Sequence, residues 1–467
     1  MGLFSRVAGR SLRSFSTSSA LLRIVPGSLE GREIGYPIKN KNARISDLNN
    51  AFSGVKSGDN IFVHGIAATP TPLLQALCDY VKSNDLKDIK LHHLHLEGPT
   101  PWITPGVKRT ADFNSTFLHE VPLLFTTGAI KLDVALIQVS PPDANGFCSL
   151  GTSVDTARAA VTQAKHIIAM SNKNMPRTLG DAVIHQSHID VMVECNDHKL
   201  HERHNAGEAS KEESTIGELI ANNLVDNGAT LQMGIGAIPD AALAALHNHK
   251  DLGIHTEMFS DGVLDLVACS AITNAKKNLH PGKMVVSFVY GSTKLYNFIH
   301  DNPMVFMGDV AWVNDPTVIC TMPKMTAINS AVEIDITGQV VSDSVGARFL
   351  SGFGGQVDFI RGATIGDDGL GKPIIALPSV TKKGVSKIVP FINQASELGW
   401  KGKGVGAGVV TSRAHVHYVV TEHGIAQLWG KNMRQRAYEL IKIAHPDHRS
   451  NLEKAAFDRL KVMPSPD

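Results

Sequence analysis

Cysteine is scarce in this chain. Five occur in 467 residues (Cys78, Cys148, Cys195, Cys269 and Cys320), each without a cysteine neighbour. An odd count with no Cys-x-x-Cys excludes a disulfide framework and a zinc ribbon. No apolar run approaches the ~18 residues that a membrane-crossing helix needs, so no membrane association is expected. Neither sign of charge dominates: 45 Lys and Arg stand against 44 Asp and Glu, a formal net of +1. That balance leaves no global basic excess for nucleic acid and no acidic, solvating tail. One further absence is local, because no Asp or Glu occurs before Glu30.

The acid-free stretch carries Arg6, Arg10, Arg13 and Arg23 with Leu, Phe and six serines through Ser19. Basic, serine-rich and acid-poor is the composition of a mitochondrial transit peptide. Arg10 and Arg13 interrupt the apolar core that a secretory signal requires, and Arg6 occupies the position where N-myristoylation needs Ser or Thr. The expectation is a transit peptide over residues 1–23 and a mitochondrial matrix location. Its removal takes away four arginines and no acids, leaving a net charge of −3.

With 43% apolar and 19% charged residues, the remainder has ample material for large cores and a length that fits more than one domain. The polar stretch Asn196–Ser214 reads as a linker, which divides the chain into domains 24–205 and 206–467. One pattern recurs on either side at an offset of about 170 residues. In the first half, Ile45–Val55 has helical apolar spacing, Ser57-Gly58-Asp59 turns, Asn60–His64 reads as a strand, and Leu73, Leu74 and Leu77 mark a second helix. In the second half the same order is Ile216–Val225, Asn227-Gly228, Ala229–Met233, a loop over Gly234–Pro239, and a helix opening at Ala241–Leu246. Further apolar strands at Val134–Val139, Met284–Val289, Pro373–Leu377 and Tyr418–Val420 alternate with helical segments. The fold class is α/β: two similar domains with open, largely parallel sheets and the active site between them.

Two segments carry chemistry. The first, Gly234-Ile-Gly-Ala-Ile-Pro239, runs from strand to helix. Its glycines let backbone amides approach a ligand, Pro239 suits the first helical turn, and the helix N-terminus favours phosphate or a developing oxyanion. A nicotinamide-dinucleotide fingerprint, with Glu257 as the ribose acid, competes for the same residues and would make the chain a dehydrogenase. It requires a third glycine where Pro239 stands. The second segment, His255-Thr-Glu-Met-Phe-Ser-Asp-Gly262, sets Glu257 among apolar neighbours on the next strand. Strand alternation puts Thr256 and Met258 on the opposite face from Glu257. Carboxyl ends of neighbouring parallel strands converge on one crevice, so Glu257 and the Gly234–Ile238 amides are expected together, with Glu257 as a candidate nucleophile.

These two segments, with SPPDANGFCSLG (Ser140–Gly151), WVNDP (Trp312–Pro316), INSAVEIDITGQV (Ile328–Val340), SGFGGQVDFIRGA (Ser351–Ala363), KPIIALPS (Lys372–Ser379), RAHVHYVVTEHG (Arg413–Gly424) and AHPDHR (Ala444–Arg449), resemble the class I CoA-transferases. The branch resembled is that of acetyl-CoA hydrolase/transferase and 4-hydroxybutyrate CoA-transferase, over about residues 24–460. The resemblance implies transfer of CoA between short-chain acyl-CoA and carboxylates, such as succinate with acetate or propionate, or hydrolysis of acyl-CoA by the same glutamate. It implies a covalent glutamyl-CoA thioester on Glu257 and polarisation of the thioester carbonyl by Asn314. It further implies CoA contacts from Gly234, Ile235, Gly236, Ala237, Ile238, Ser351, Gly355 and Lys382, and an ordering role for Glu422. Ser351 stands where some relatives have Asn, and Lys382-Lys383 matches the CoA-contacting lysine loosely. Coenzyme A is then a substrate; no tightly bound cofactor and no metal are expected, and a homo-oligomer, in preference a dimer, is the expected assembly.

The chemistry suits these residue types. A carboxylate attacking a thioester gives a mixed anhydride and keeps the acyl energy, which a serine ester would lose. Each tetrahedral intermediate needs aimed donors for its oxyanion. The remaining candidates are weaker. The histidines of LHHLHLEG (His92, His93, His95), and His201 with His204, lack an evident third metal ligand. Lys276, Lys277 and Lys283 are candidates for CoA phosphates or a solvated face, and Cys148 and Cys269 read as buried. Arg13-Ser14-Phe15 resembles a matrix-protease site followed by an octapeptide ending at Arg23. N-terminal sequencing of the organellar protein should therefore begin at Ile24, and a sequence beginning at Met1 would contradict the targeting.

Overall fold

The computed structural model describes residues 31–102, 112–203, 209–392 and 407–467. The expected transit peptide with its cleavage sites, the division between 205 and 206, and His204 lie outside the described residues.

A six-stranded parallel sheet gathers the first half: β1 (Arg44–Ser46), β2 (Asn60–Val63), β3 (Lys90–His92), β4 (Val134–Val139), β5 (His166–Ser171) and β6 (Val191–Glu194), in spatial order β1-β6-β5-β4-β2-β3. An eight-stranded sheet gathers the second: β7 (Thr230–Met233), β8 (Gly253–Phe259), β9 (Met284–Val289), β10 (Val305–Met307), β11 (Thr326–Ser330), β12 (Lys372–Ala376), β13 (Tyr418–Thr421) and β14 (Gly424–Gln427). Its order is β10-β9-β8-β7-β11-β12-β13-β14, and only β14 runs antiparallel to its neighbour. The run β3-β2-β4-β5-β6 has the same connectivity as β8-β7-β11-β12-β13. The two halves thus share a topology, and the second adds β9 and β10 at one edge.

The central strands are covered on both faces, so they read as continuous apolar runs. All six residues of β4 and all six of β9 are buried. Helix α1 (Thr71–Ser83) crosses from β2 to β3 with Leu73, Leu74 and Leu77 inward. Helix α2 (Lys211–Leu224) begins inside the polar stretch read as linker, because Ser210 and Glu213 form a capping box. The expected helix at Ile45–Val55 does not form. Arg44–Ser46 is an edge strand with Ile45 64% exposed, and turns follow. There the Asp47 carboxylate accepts bonds from the Asn50 backbone (2.9 Å) and side chain, a local alternative that competes with helix. Ala51, Phe52 and Val55 are nevertheless buried beneath α1 and the sheet.

The added strands seat the first half. Val154 N–H donates to Ser287 O (2.9 Å) and Val289 N–H to Thr152 O (2.9 Å), so the loop after Gly151 pairs with β9. Gly180 bridges Met307 of β10, with Asp181 N–H donating to Met307 O at 2.8 Å. One buried apolar cluster runs from Phe62 and Ile137 through Leu231 and Ile254 to Val420, continuous across both halves. Fully burying each such aliphatic side chain contributes roughly 1.5–3 kcal/mol. Among the described residues no helix is long and apolar enough to cross a membrane.

Candidate active site

Strand order reverses between the parallel neighbours β7 and β11, which is where open α/β sheets bind ligands, beyond their carboxyl ends. The floor of that point is polar and closed: Asn329 of β11 donates its side-chain amide to Gln232 of β7 at 2.8 Å. After β7 the chain passes through Gly234 and Gly236 into α3 (Ala237–Ala244). The helix thus starts four residues before the expected Ala241. Gly236 sits at φ +142°, a conformation that glycine adopts freely, and no side chain caps the helix. Ile235 is 49% exposed at the loop tip. Asp240, in the first turn, is held by Arg203 (2.9 Å) and Ser260 (3.1 Å).

Glu257 lies on β8, where the strand is regular against β9 but bulged against β7. Ile254 pairs with Leu231 and Met258 already with Met233. A bulge re-aims side chains and strengthens twist. The Thr256 hydroxyl spans the irregularity, donating to Met258 O at 2.8 Å and accepting from Met233 N–H at 3.2 Å. The Glu257 carboxylate is half-buried. It accepts from Asn314 Nδ2 (2.9 Å) and from the Gly355 backbone N–H. Burial pushes it up to about 7. The Asn314 hydrogen bond opposes this, the Asp358 and Asp155 charges add to it, and the Gly355 bond opposes it.

Asn314 is fully buried in the elbow between α4 (Val310–Val313) and α5 (Pro316–Ile319). Asp309 and Asp315 cap the two helices through Ala311 N–H and Thr317 N–H, each at 2.8 Å. His255 fixes the preceding residue, its Nε2–H donating to Val313 O at 2.8 Å. Burial, reinforced by the Lys277 charge, drops His255 to about 3, so it stays neutral. Gly355 caps α6 (Gln356–Thr364), and a Cβ there would overlap Glu257 Oε2 and Asn314 Nδ2. That overlap is why glycine stands at 355. The first half closes over this point: Leu118 N–H donates to Gly354 O at 3.2 Å, and the Phe117 ring meets Phe353 edge-on at 5.7 Å.

The structure therefore gathers Glu257, Asn314 and Gly355 in mutual contact, with the Gly234–Ile238 loop leaving the neighbouring strand. Ser351 is exposed, its hydroxyl turned onto Gly352 O (2.9 Å). Lys382 is exposed on the turn Thr381–Val385, whose root is clamped by Glu422. Glu422 accepts from Ser379 N–H at 2.9 Å and from the Ser379 hydroxyl. Lys277 is a correction: it is 4% exposed and donates to Ile254 O (2.8 Å) and Lys283 O (2.6 Å), so it braces β8 from within. Cys148 is buried as expected, whereas Cys269 is exposed because it lies just past a short helix at the surface. His119, Asp155 and Asp358 join the site unannounced. Asp358 lay within a quoted motif, three residues past Gly355, but the contact partner His119 had no signal in the sequence.

The crevice of the two α/β halves thus holds a half-buried carboxylate among hydrogen-bond donors, an arrangement compatible with acyl transfer. Family models agree: the acetyl-CoA hydrolase/transferase N-terminal domain matches residues 107–200 and the C-terminal domain residues 291–456. Glu257 lies between the two matched spans. Succinyl-CoA:acetate/propanoyl-CoA:succinate CoA transferase of Fasciola hepatica is 56% identical over 439 residues, covering 90% of this chain and 89% of that protein. 4-Hydroxybutyrate coenzyme A transferase of Clostridium kluyveri is 51% identical over 343 residues, covering 73% and 76%. The structure of 4-hydroxybutyrate CoA-transferase from Porphyromonas gingivalis matches with a TM-score of 0.76 at 38% identity, covering 89% of this chain and 98% of that one. RipA from Yersinia pestis matches at 0.80 and 31%, covering 90% and 98%. The chain belongs to the acetyl-CoA hydrolase/transferase family. It is a CoA-transferase, an enzyme that moves CoA between acyl-CoA and carboxylates.

Two outcomes follow from the site geometry. Gly355→Ala forces Glu257 or Asn314 out of place, and a displacement on the order of 1 Å costs about 10²-fold in kcat/KM; steady-state rates of the folded variant check this. Glu257 titrates higher when folded than the ordinary glutamate value of 4.5, so its stability penalty is absent below about pH 4.5 and complete above about pH 7. Glu257→Gln should therefore be more stable than the parent at pH 8, by up to about 3 kcal/mol, and equal to it near pH 4. Urea midpoints at the two pH values measure the difference.

Proposed function

We propose that Glu257 is the nucleophile of a ping-pong CoA transfer, with succinate and acetate or propionate as the carboxylate pair, in the mitochondrial matrix. The observation that carries the reading is the Glu257 carboxylate held by Asn314 and Gly355. Oε2 is the oxygen next to both donors, which leaves Oε1 to attack the thioester carbonyl and expel CoA thiolate. The thiolate then attacks the glutamyl carbonyl of the mixed anhydride. The oxyanion formed there is Oε2, still beside its donors, and the acid departs with Oε1. A second carboxylate attacks glutamyl-CoA and runs the steps in reverse. Burial makes the carboxylate a stronger nucleophile once ionised, and closure of the first half at Leu118 shields the anhydride from water.

Coenzyme A enters this reading as a substrate, against the Gly234–Ile238 amides and the loops bearing Ser351 and Lys382. The acyl pair is supported by the Fasciola hepatica relative, whose name carries both acetate and propanoyl-CoA. The location is supported by the acid-free, arginine-bearing N-terminus.

Enzyme incubated with acyl-CoA and no acceptor, then treated with borohydride, should carry the reduced thioester on the peptide containing His255–Asp261. Glu257→Gln should abolish both labelling and transfer, whereas labelling at Glu422 would move the nucleophile. Parallel double-reciprocal lines are expected when acyl-CoA and acid vary together; full turnover without acid would favour hydrolysis. Because the ionised carboxylate attacks, kcat/KM for acyl-CoA should fall tenfold per pH unit below about 7.

A further inference from the structure

We propose that His119 and Asp358, carried by opposite halves of the chain, are a positioning pair that fixes the Asn314 amide and balances the negative charge facing Glu257. The proposal rests on the reading of Glu257 as nucleophile and adds to it two residues which that reading does not use.

Asp358 is 1% exposed on α6, and both its oxygens are engaged. Oδ1 meets His119 Nδ1 at 2.7 Å. Oδ2 accepts from the His119 backbone N–H at 3.1 Å and from Asn314 Nδ2 at 3.4 Å. The Asn314 amino group therefore lies between two carboxylates, Asp358 at 3.4 Å and Glu257 at 2.9 Å, with one N–H for each. Rotating the amide by half a turn would place its carbonyl oxygen between two anions. Asp358 thus holds Asn314 with its donor toward Glu257, the orientation that an oxyanion needs.

Holding the amide with a carboxylate has a drawback, because a second anion then faces the nucleophile. The charged groups around the pair come from several elements. Asp358 and Asp155, from opposite halves, face Glu257. Asp358, Glu120 and Asp315 face His119, with Glu120 Oε1 3.9 Å from His119 Nε2. Of these groups His119 alone can be cationic. Burial pulls its pKa down, but the Asp358 hydrogen bond and charge outweigh burial and hold it above the ordinary histidine value. A protonated His119 neutralises that anion at Oδ1, the oxygen that Asn314 does not share. His119 arrives with the first half, next to the Leu118–Gly354 hydrogen bond, so the compensating charge is in place only when the halves are docked.

The test is the pH profile of kcat/KM for acyl-CoA, measured on the full enzyme. His119→Gln keeps a donor for Asp358 but removes the charge, and it should move the acidic limb upward by about one pH unit. Asp358→Asn should lower the plateau about tenfold or more by loosening Asn314, with no upward shift of the limb. The double variant should lose the upward shift, because the anion that His119 balances is gone. A His119→Gln profile superimposed on the parent, or a double variant shifted as far as His119→Gln alone, would overturn the pairing. If Asp358→Asn fails to fold, the His119→Gln limb decides by itself. Borohydride labelling keeps the two readings apart. Label on Glu257 with an unmoved limb overturns only the pair, whereas loss of label from the parent overturns the nucleophile.

Discussion

The structure depends on keeping one carboxylate largely, though not wholly, away from water while the charges of two others press on it. Desolvation alone would protonate Glu257, and Asp358 and Asp155 press in the same direction. Among the described residues two donors oppose them, the Asn314 amide and the Gly355 N–H. Each donor is held by more than its own residue. Asn314 sits in an elbow capped by two aspartates and braced by a neutral His255; Gly355 occupies a position where a side chain would collide with both partners. The balance leaves a carboxylate that titrates near neutrality, so it exchanges its proton in the physiological range and is poorly solvated when charged.

Much of this architecture was legible in the sequence because parallel strands buried on both faces advertise themselves. Val134–Val139 and Met284–Val289 appear in the structure with the bounds that their apolar runs predict. The repeat was legible for the same reason: strand, glycine turn and helix recur in order, and the shared strand connectivity accounts for it. The helix expected at Ile45–Val55 misled because its apolar spacing is real but serves turns. Asp47 and Asn50 settle that locally, and burial of Phe52 needs no helix. Capping chemistry in the middle of a polar stretch likewise moved a helix start back to Lys211.

The site was legible where a motif carries its own chemistry and illegible where it depends on chain crossings. Glu257, Asn314 and Gly355 stand far apart in sequence yet meet because one strand and two helix ends border one crevice. The β8 bulge, which aims Glu257, has no residue signature: no glycine or proline marks Thr256. His119 reaches Asp358 across 239 positions, and nothing near His119 distinguishes it from a surface histidine. Lys277 misled in the opposite sense, since a lysine among lysines reads as solvated and this one is sealed beneath a strand.

Duplicated halves facing one another would by default offer two equivalent crevices related by a pseudo-twofold axis. The strands β9 and β10 remove that equivalence. Among the described residues they have no counterpart in the other half, which docks its Thr152–Asp155 loop and Gly180 on them. The counterpart of β8 in the first half is β3, three residues long and left at an open sheet edge. The two halves are thus unequal: one bears Glu257 on β8, and the other lies over it at Leu118 and docks on β9 and β10. Substitutions at the end of β3 are then free of the chemistry that constrains β8, and the two copies are expected to drift at unequal rates.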